Sequence, residues 1–323
     1  MLRQLRAGPA LTFDYETSGL AWHANAHSCG AAFATWDPSD GRIWNWYVPY
    51  RHESGEKQLD FSLVAPAIKG LLEDETKLKV GHNLKFEDHF SRKEGWRVLG
   101  PRYDTMVAGH LYDENMPLKL ETRAELLLGH TDARYWEMEM KKEVLRLARA
   151  HKMGIRDYKN AHGYAQTPIN LCGTYACFDT QHATELCLFY ERRSLSSKFP
   201  RIWHTEMALT EALCDMEENG LPVDIEYLEN LRDSLGGVKA GIEDQIKSIL
   251  GPDMFKLGSD DELRHFMFQK MRLPLYKKTK GNKFSVDREV LGEFKEHSPV
   301  LKMLLDWRDA EKLENTYTTS ILK

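Results

Sequence analysis

The sequence predicts an α/β fold over residues 1–198, a mixed sheet flanked by helices, followed by an all-helical region over residues 199–323. Three observations carry this. The chain opens with three strand-like segments in succession. Strand-like and helix-like segments then alternate. From about Phe199 onward the apolar spacing is helical almost throughout.

Residues 10–16 (Ala-Leu-Thr-Phe-Asp-Tyr-Glu), 28–36 and 42–50 read as strands, and Asp37-Pro38-Ser39-Asp40-Gly41 between the last two is a hairpin signal. Residues 61–73 place Phe61, Val64, Ala65, Ile68, Leu71 and Leu72 on one helical face. Pro66 fits best in a first turn, which moves the expected helix start toward Val64. Leu78 to Gly81 is a short strand, followed by a helix from Leu84 to Glu94. A second strand-to-helix passage runs from Tyr103 to Leu111. Further helices are expected over 119–128, 134–150 and 170–195.

In the second region, residues 200–219 form an amphipathic helix with Gly220 as its C-cap and Leu221-Pro222 as its stop. Asp224 can cap the next helix, Ile225 to Leu250, which would span about 40 Å at ~1.5 Å per residue. Its expected partner is 285–320, and the stretch Lys277–Lys283 forms a basic, turn-like tip between them.

Composition excludes several classes. At 323 residues the chain has material for about two domains. A net charge of -5 argues against a protein that coats nucleic acid by bulk charge, though not against an enzyme with a local groove. Cys29, Cys172, Cys177, Cys187 and Cys214 match no zinc spacing and read as reduced, mostly buried thiols. No apolar run is long enough for a membrane helix, and the start lacks a signal peptide's apolar core. A cytoplasmic setting, bacterial or phage-infected, is expected.

The chemistry sits in three short elements. Asp14 and Glu16 are two apart at the end of an apolar strand, so both point to one face. Adjacent carboxylates repel, and a divalent cation relieves the repulsion. The second element is Val80-Gly81-His82-Asn83-Leu84-Lys85-Phe86-Glu87-Asp88, a strand end, a potential Asn cap and a helix start bearing two acids. The third is Tyr175-Ala176-Cys177-Phe178-Asp179, where Tyr175 and Asp179 share a helical face.

In order and spacing these elements resemble the exonuclease motifs of the DEDD superfamily, in its tyrosine subclass. Asp14 and Glu16 match the first motif, Asn83 and Phe86 with the following acid the second, and Tyr175 and Asp179 the third. Thr174 stands where the histidine subclass has its His. Asp104-Thr105-Met106 looks like the segment that opens a structural helix in this group. Glu206–Asp224 looks like the start of the polymerase half of family-A DNA polymerases, of the bacterial repair and phage type, and Lys277–Gly281, Ser285 and Lys312–Tyr317 look like the thumb of the same family. The likeness covers nearly the whole chain.

The resemblance implies an RNase H-like mixed sheet and a partial thumb. It also implies a 3′–5′ DNA exonuclease using two divalent ions, Mg²⁺ or Mn²⁺. Asp14, Glu16 and Asp179 bind one ion, Asp14 bridges to the second, and Glu87 contributes from its outer shell. Tyr175 orients the attacking water. Thr17, Leu20, Asn83 and Phe86 are the expected substrate contacts, with Leu20 against the terminal base and Asn83 on the strand or bracing the second motif. The family has Asp where this chain has Glu87. Asp88, about 100° further round the helix, is the alternative. No Asp-Tyr-Ser, His-Asp-Glu or fingers-like motif occurs, so no polymerase activity is expected from this chain alone. The expected partners are a single-stranded or frayed 3′ end and a separate chain supplying palm and fingers, with no membrane. Two competing readings are a non-catalytic DNA- or protein-binding platform and a ribonuclease D-like RNA trimmer.

Overall fold

The computed structural model describes residues 1–251, 254–274, 277–279 and 281–322, in two compact units, Met1–Gly220 and Leu221–Lys323. Lys280, in the basic tip, lies outside the described residues.

In the first unit, α1 (Leu2–Ala7) leads into β1 (Ala10–Thr17), the middle strand of five. β2 (Ser28–Trp36) and β3 (Ile43–Pro49) add antiparallel on one side, as the hairpin signal at 37–41 requires. On the other side, β4 (Leu78–Gly81) and β5 (Arg102–Asp104) add parallel, giving the order β3-β2-β1-β4-β5. Parallel neighbours need crossovers, and helices supply them: α2 (Phe61–Leu72) before β4 and α3 (Leu84–Lys93) before β5.

Alternation along β1 sorts its side chains. Leu11, Phe13 and Tyr15 enter one core with Phe33, Ile68, Leu72 and Phe90. Ala10, Thr12, Asp14 and Glu16 take the other face.

Helix α2 begins at Phe61, not at Val64, and keeps Pro66 inside. Asp60 caps it through the Ser62 N–H, Pro66 lies on the exposed side, and Ile68, Leu71 and Leu72 are buried. Water can satisfy the carbonyl that Pro66 leaves free, so burial outweighs the lost bond.

Then follow α4 (Thr105–Tyr112), α5 (Leu120–Arg123), α6 (Tyr135–Ala150), α7 (Ile155–His162), α8 (Ile169–Glu191), α9 (Leu195–Lys198) and α10 (Pro200–Asn219). α8 lies across β1, β2 and β3, and small buried residues such as Gly173, Ala176 and Ala183 allow close approach. α1 and α7 carry no clear sequence signal. α10, which sequence places at the head of the second region, packs within the first unit. Trp203 lies against Tyr103 at 4.7 Å, and Arg92 pairs with Asp215 at 2.6 Å.

The second unit is helical: α11 (Ile225–Leu250), α12 (Asp260–Arg264), α13 (Arg288–Phe294) and α14 (Pro299–Lys312). The Asp224 side chain caps α11, as its position predicts, and α11 packs along α14 and the segment that continues it. In the basic tip, Lys277 pairs with Asp287 at 3.1 Å and Lys283 with Asp261 at 3.1 Å. Those charges are already partnered inside the unit. No helix among the described residues is long and apolar enough to cross a membrane, and the five cysteines are free thiols, four of them buried.

Candidate active site

Thr12 and Thr184 share a hydrogen bond of 2.7 Å between their hydroxyls, which pins α8 to β1. Further toward the N-terminus of α8, Asp179 comes close to Asp14 and Glu16. One carboxylate oxygen from each of the three lies within 4.8 Å of the others. The register of β1 against β2 slips between Glu16 and Thr17, an irregularity directly after the second acid.

Three acids this close and this poorly hydrated resist ionisation. Burial, then the charge of Glu121, pushes the Asp14 carboxyl up to about 7. Burial, then the charge of Asp14, holds Glu16 and Asp179 well above the usual carboxylate range. Glu16 Oε1 is buried without a hydrogen-bond partner. An orphaned acceptor among mutually repelling carboxylates is the donor set a hard divalent cation fits. Tyr175 lies one helical turn before Asp179 on α8 and draws its carboxyl down against the larger upward push of burial, and burial keeps the phenol protonated.

The structure distinguishes the two candidate acids of the second motif. Glu87 is buried, and its Oε2 accepts from the Tyr15 backbone N–H at 2.8 Å. β1 pairs with β4 only as far as Thr12 opposite Val80, so that N–H lies beyond the ladder. The charge of Asp14 is the main influence on Glu87 after burial. Asp88 turns elsewhere: it pairs with Arg102 and approaches Cys214. Glu87 is thus the acid beside the cluster, although its oxygens lie outside the group of three.

The remaining sequence candidates fall in different places. Asn83 occupies the N-cap of α3 at φ 70, with no side-chain capping bond. The capping is done by Asp104, whose oxygens accept from the N–H groups of Asn83 at 3.0 Å and Leu84 at 2.7 Å. The same carboxylate caps α4 through Met106 N–H at 2.8 Å. Thr17 is buried, its hydroxyl donating to Gly19 O at 2.8 Å. Phe86 is half-buried against Phe90, ring centroids 4.9 Å apart. Leu20 is exposed, at 58%. His89, given no role from sequence, stacks on Trp22 at 3.8 Å and bonds Glu217 at 2.6 Å. His82 shares a 3.0 Å bond with Thr105.

Three neighbours of the site escape a motif-based reading. Glu121 is buried and acts on Asp14, Asp179 and Tyr175 through its charge. Tyr164 packs edge-on against Tyr175 at 5.8 Å, and its N–H donates to Thr17 O at 2.8 Å. Lys159 on α7 donates to the Tyr164 hydroxyl at 3.1 Å; burial, then the charge of Lys141, holds its ammonium below the usual lysine range against a smaller opposing pull from Glu16. The only sequence signal was the basic-aromatic cluster Tyr158-Lys159…Tyr164.

Comparison with known proteins agrees with this geometry. The family model described as 3'-5' exonuclease matches residues 1–187, and the model described as DNA polymerase family A matches residues 225–323. DNA polymerase I of Borreliella burgdorferi is 25% identical over 100% of this chain and 32% of its own length. DNA polymerase I of Rhizobium leguminosarum is 29% identical over 98% of this chain and 31% of its own length. The chain thus spans about a third of the length of these relatives. A solved structure of the POL domain of Pol1 from M. smegmatis, in complex with DNA primer-template and dNTP, superposes with a TM-score of 0.65. It is 21% identical and covers 98% of this chain and 47% of that one.

Proposed function

This chain belongs to the 3′–5′ exonuclease family, whose model matches residues 1–187, and from that premise we propose that it removes nucleoside 5′-monophosphates from DNA 3′ ends as a proofreading activity. The observation that carries the proposal is the cluster of Asp14, Glu16 and Asp179, with Tyr175 one helical turn before the last. Asp14, Glu16 and Asp179 would hold one divalent cation, Mg²⁺ or Mn²⁺. A second would be shared by Asp14, with Glu87 beside it. Such cations stabilise the charge that builds on the attacking and leaving oxygens of an in-line phosphodiester displacement.

The chain's own residues supply the rest. Tyr175, oriented by Asp179, positions a water against the last phosphodiester. The water oxygen joins phosphorus, the bond from phosphorus to the 3′ oxygen breaks, and that oxygen takes a proton to become the new 3′ hydroxyl. Exposed Leu20 packs on the terminal base. A mismatched end frays at a saving of roughly a few kcal/mol, which gives the site its preference without sequence readout.

The test is digestion of 5′-labelled single-stranded DNA with Mg²⁺, with Mn²⁺ and with chelator, alongside Asp14→Ala. A metal-dependent ladder of single-nucleotide steps, absent in the variant, is expected. No degradation with either ion would overturn the proposal in favour of a non-catalytic platform. Faster digestion of RNA than of DNA would favour an RNA trimmer. We further propose that these 323 residues do not extend a primer, because nothing in them matches palm carboxylates. Exposed Leu221, Tyr227, Tyr317 and Ile321 offer apolar contacts for further polymerase polypeptide.

A further inference from the structure

The loop that carries Leu20 is held both at its base and just past Leu20. At the base, Ser18 N–H donates to His27 O at 2.9 Å and Tyr164 N–H to Thr17 O at 2.8 Å. A Cβ on Gly163 would lie 2.0 Å from that same Thr17 oxygen, so the base has no room to shift. Past Leu20, Trp22 N–H donates to Leu20 O at 3.0 Å. The Trp22 indole lies flat on the imidazole of His89, with ring centroids 3.8 Å apart and planes within 4°. Lys93, one turn further along α3, donates to Trp22 O at 3.0 Å and also to Ala24 O.

His89 is buried, and the bond that aims its ring comes from α10. Its Nε2 donates to Glu217 Oε2 at 2.6 Å, while Nδ1 is buried without a hydrogen-bond partner. Glu217 also accepts from Lys85 at 2.5 Å, and Arg92 pairs with Asp215 at 2.6 Å and Glu218 at 3.1 Å. Lys85, His89 and Arg92 share one helical face, so the last turn of α10 grips α3 along that face. Glu87 lies about 200° round the same helix and bonds Tyr15 N–H instead. The acid and the stack are therefore separate duties of one helix.

We propose that the stack of Trp22 on His89, aimed by Glu217, is a positioning element that holds Leu20 where the terminal base of the strand must sit. An exposed leucine on a slack loop would have to be ordered each time a base arrived, and that ordering weakens binding. A loop fixed at its base by the Gly163 crossing and past Leu20 by a flat ring pair presents the side chain already in place. Trp22 and His89 lie outside the carboxylate cluster, so their effect falls on seating the terminal nucleotide and not on breaking its bond. This rests on the exonuclease reading, in which Leu20 meets the terminal base, and extends it to what sets that contact.

The experiment measures kcat and KM, with Mg²⁺ or Mn²⁺, on two single-stranded DNAs that differ only in the 3′-terminal residue, one with a base and one abasic. Wild-type protein that shortens neither strand sinks the exonuclease reading itself. Otherwise wild type should show the lower KM on the strand with the terminal base. His89→Ala should raise that KM by roughly three- to tenfold, with kcat retained and KM on the abasic strand unaltered, so that the preference disappears. His89→Phe, which keeps a flat ring on Trp22, should restore most of the preference. His89→Gln, which offers Glu217 an amide but Trp22 no ring, should not. Trp22 emission, taken as the difference from Trp22→Phe, should move to the red in His89→Ala as water reaches the indole. A preference for the base that is absent in wild type, or that survives in His89→Ala, would overturn the proposal while leaving the exonuclease standing. An equal fall in kcat on both strands, with the preference kept, would overturn it too and assign His89 to the placing of Glu87.

Discussion

The backbone N–H of Tyr15 donates to Glu87 Oε2 at 2.8 Å, joining the second acidic motif to the strand that carries the first. The longer Glu side chain thus serves two ends, bracing β1 where the parallel ladder has stopped and placing a carboxylate beside Asp14. Glu87→Gln keeps an acceptor for Tyr15 and should fold normally, with activity at least about tenfold lower. Glu87→Ala leaves the N–H unpaired and should cost about 1–3 kcal/mol as well. Glu87→Asp should change the ratio of Mg²⁺ to Mn²⁺ rates. Denaturant melts and metal titrations of the three variants test this.

Repulsion within the carboxylate cluster makes its members stabilising to remove. Asp14→Asn should abolish digestion and raise the melting temperature of the metal-free protein at pH 8, the reverse of an ordinary buried substitution. A lower melting temperature would mean that the charge of Asp14 is compensated in some other way.

The same burial fixes a pH dependence. Asp14 is raised from 3.8 to about 7 in the fold, so its protonated form is the one the fold favours. The associated stability is fully present below about pH 4 and is lost as pH rises through about 7, a loss on the order of a few kcal/mol. Glu16 and Asp179, also raised, act in the same direction. Metal-free protein should therefore melt lower at pH 8 than at pH 5, and Mg²⁺ or Mn²⁺ should narrow the difference. Calorimetry with and without chelator at both pH values measures it.

Tyr175 contributes orientation, not charge. Tyr175→Phe removes the hydroxyl one helical turn from Asp179 and should lower kcat by about 10- to 100-fold with little change in KM. An equal rise in KM would instead assign Tyr175 to strand binding.

Asp104 accepts from Asn83, Leu84 and Met106, so one buried carboxylate starts both α3 and α4. Asp104→Ala should destabilise by about 2–4 kcal/mol, more than a single cap is worth. Asp104→Asn, which keeps one acceptor, should recover about half. Chemical denaturation settles the ranking.

Much of this was readable in the residues. Alternation along 10–16 put Asp14 and Glu16 on one face because a strand's period is fixed, and the four-residue spacing joined Tyr175 to Asp179. What sequence could not supply was partnership. Asn83 looked like a cap, but the acceptor came from Asp104, which only the parallel sheet brings near. The amphipathic face of 200–219 did not say against which unit it packs. α7 buries Tyr158 alone and has no stripe to detect, so Lys159 and Tyr164 stayed hidden with it. Pro66 misled because local propensity was set against burial, and burial prevailed.

The crossing of Gly163 over the Thr17–Gly19 turn has a bearing on how this architecture can be recombined. A side chain on Gly163, already at φ 49, would strike Thr17 O, and one on Gly19 would come within 2.5 Å of Asn160 O. The two segments are about 140 positions apart in the chain, yet they form a single mechanical joint with no room for independent drift. Chimeras that exchange the α6–α7 segment between homologues should fail unless residues 17–20 travel with it. The joint, more than either motif, sets the smallest portable cassette of this nuclease.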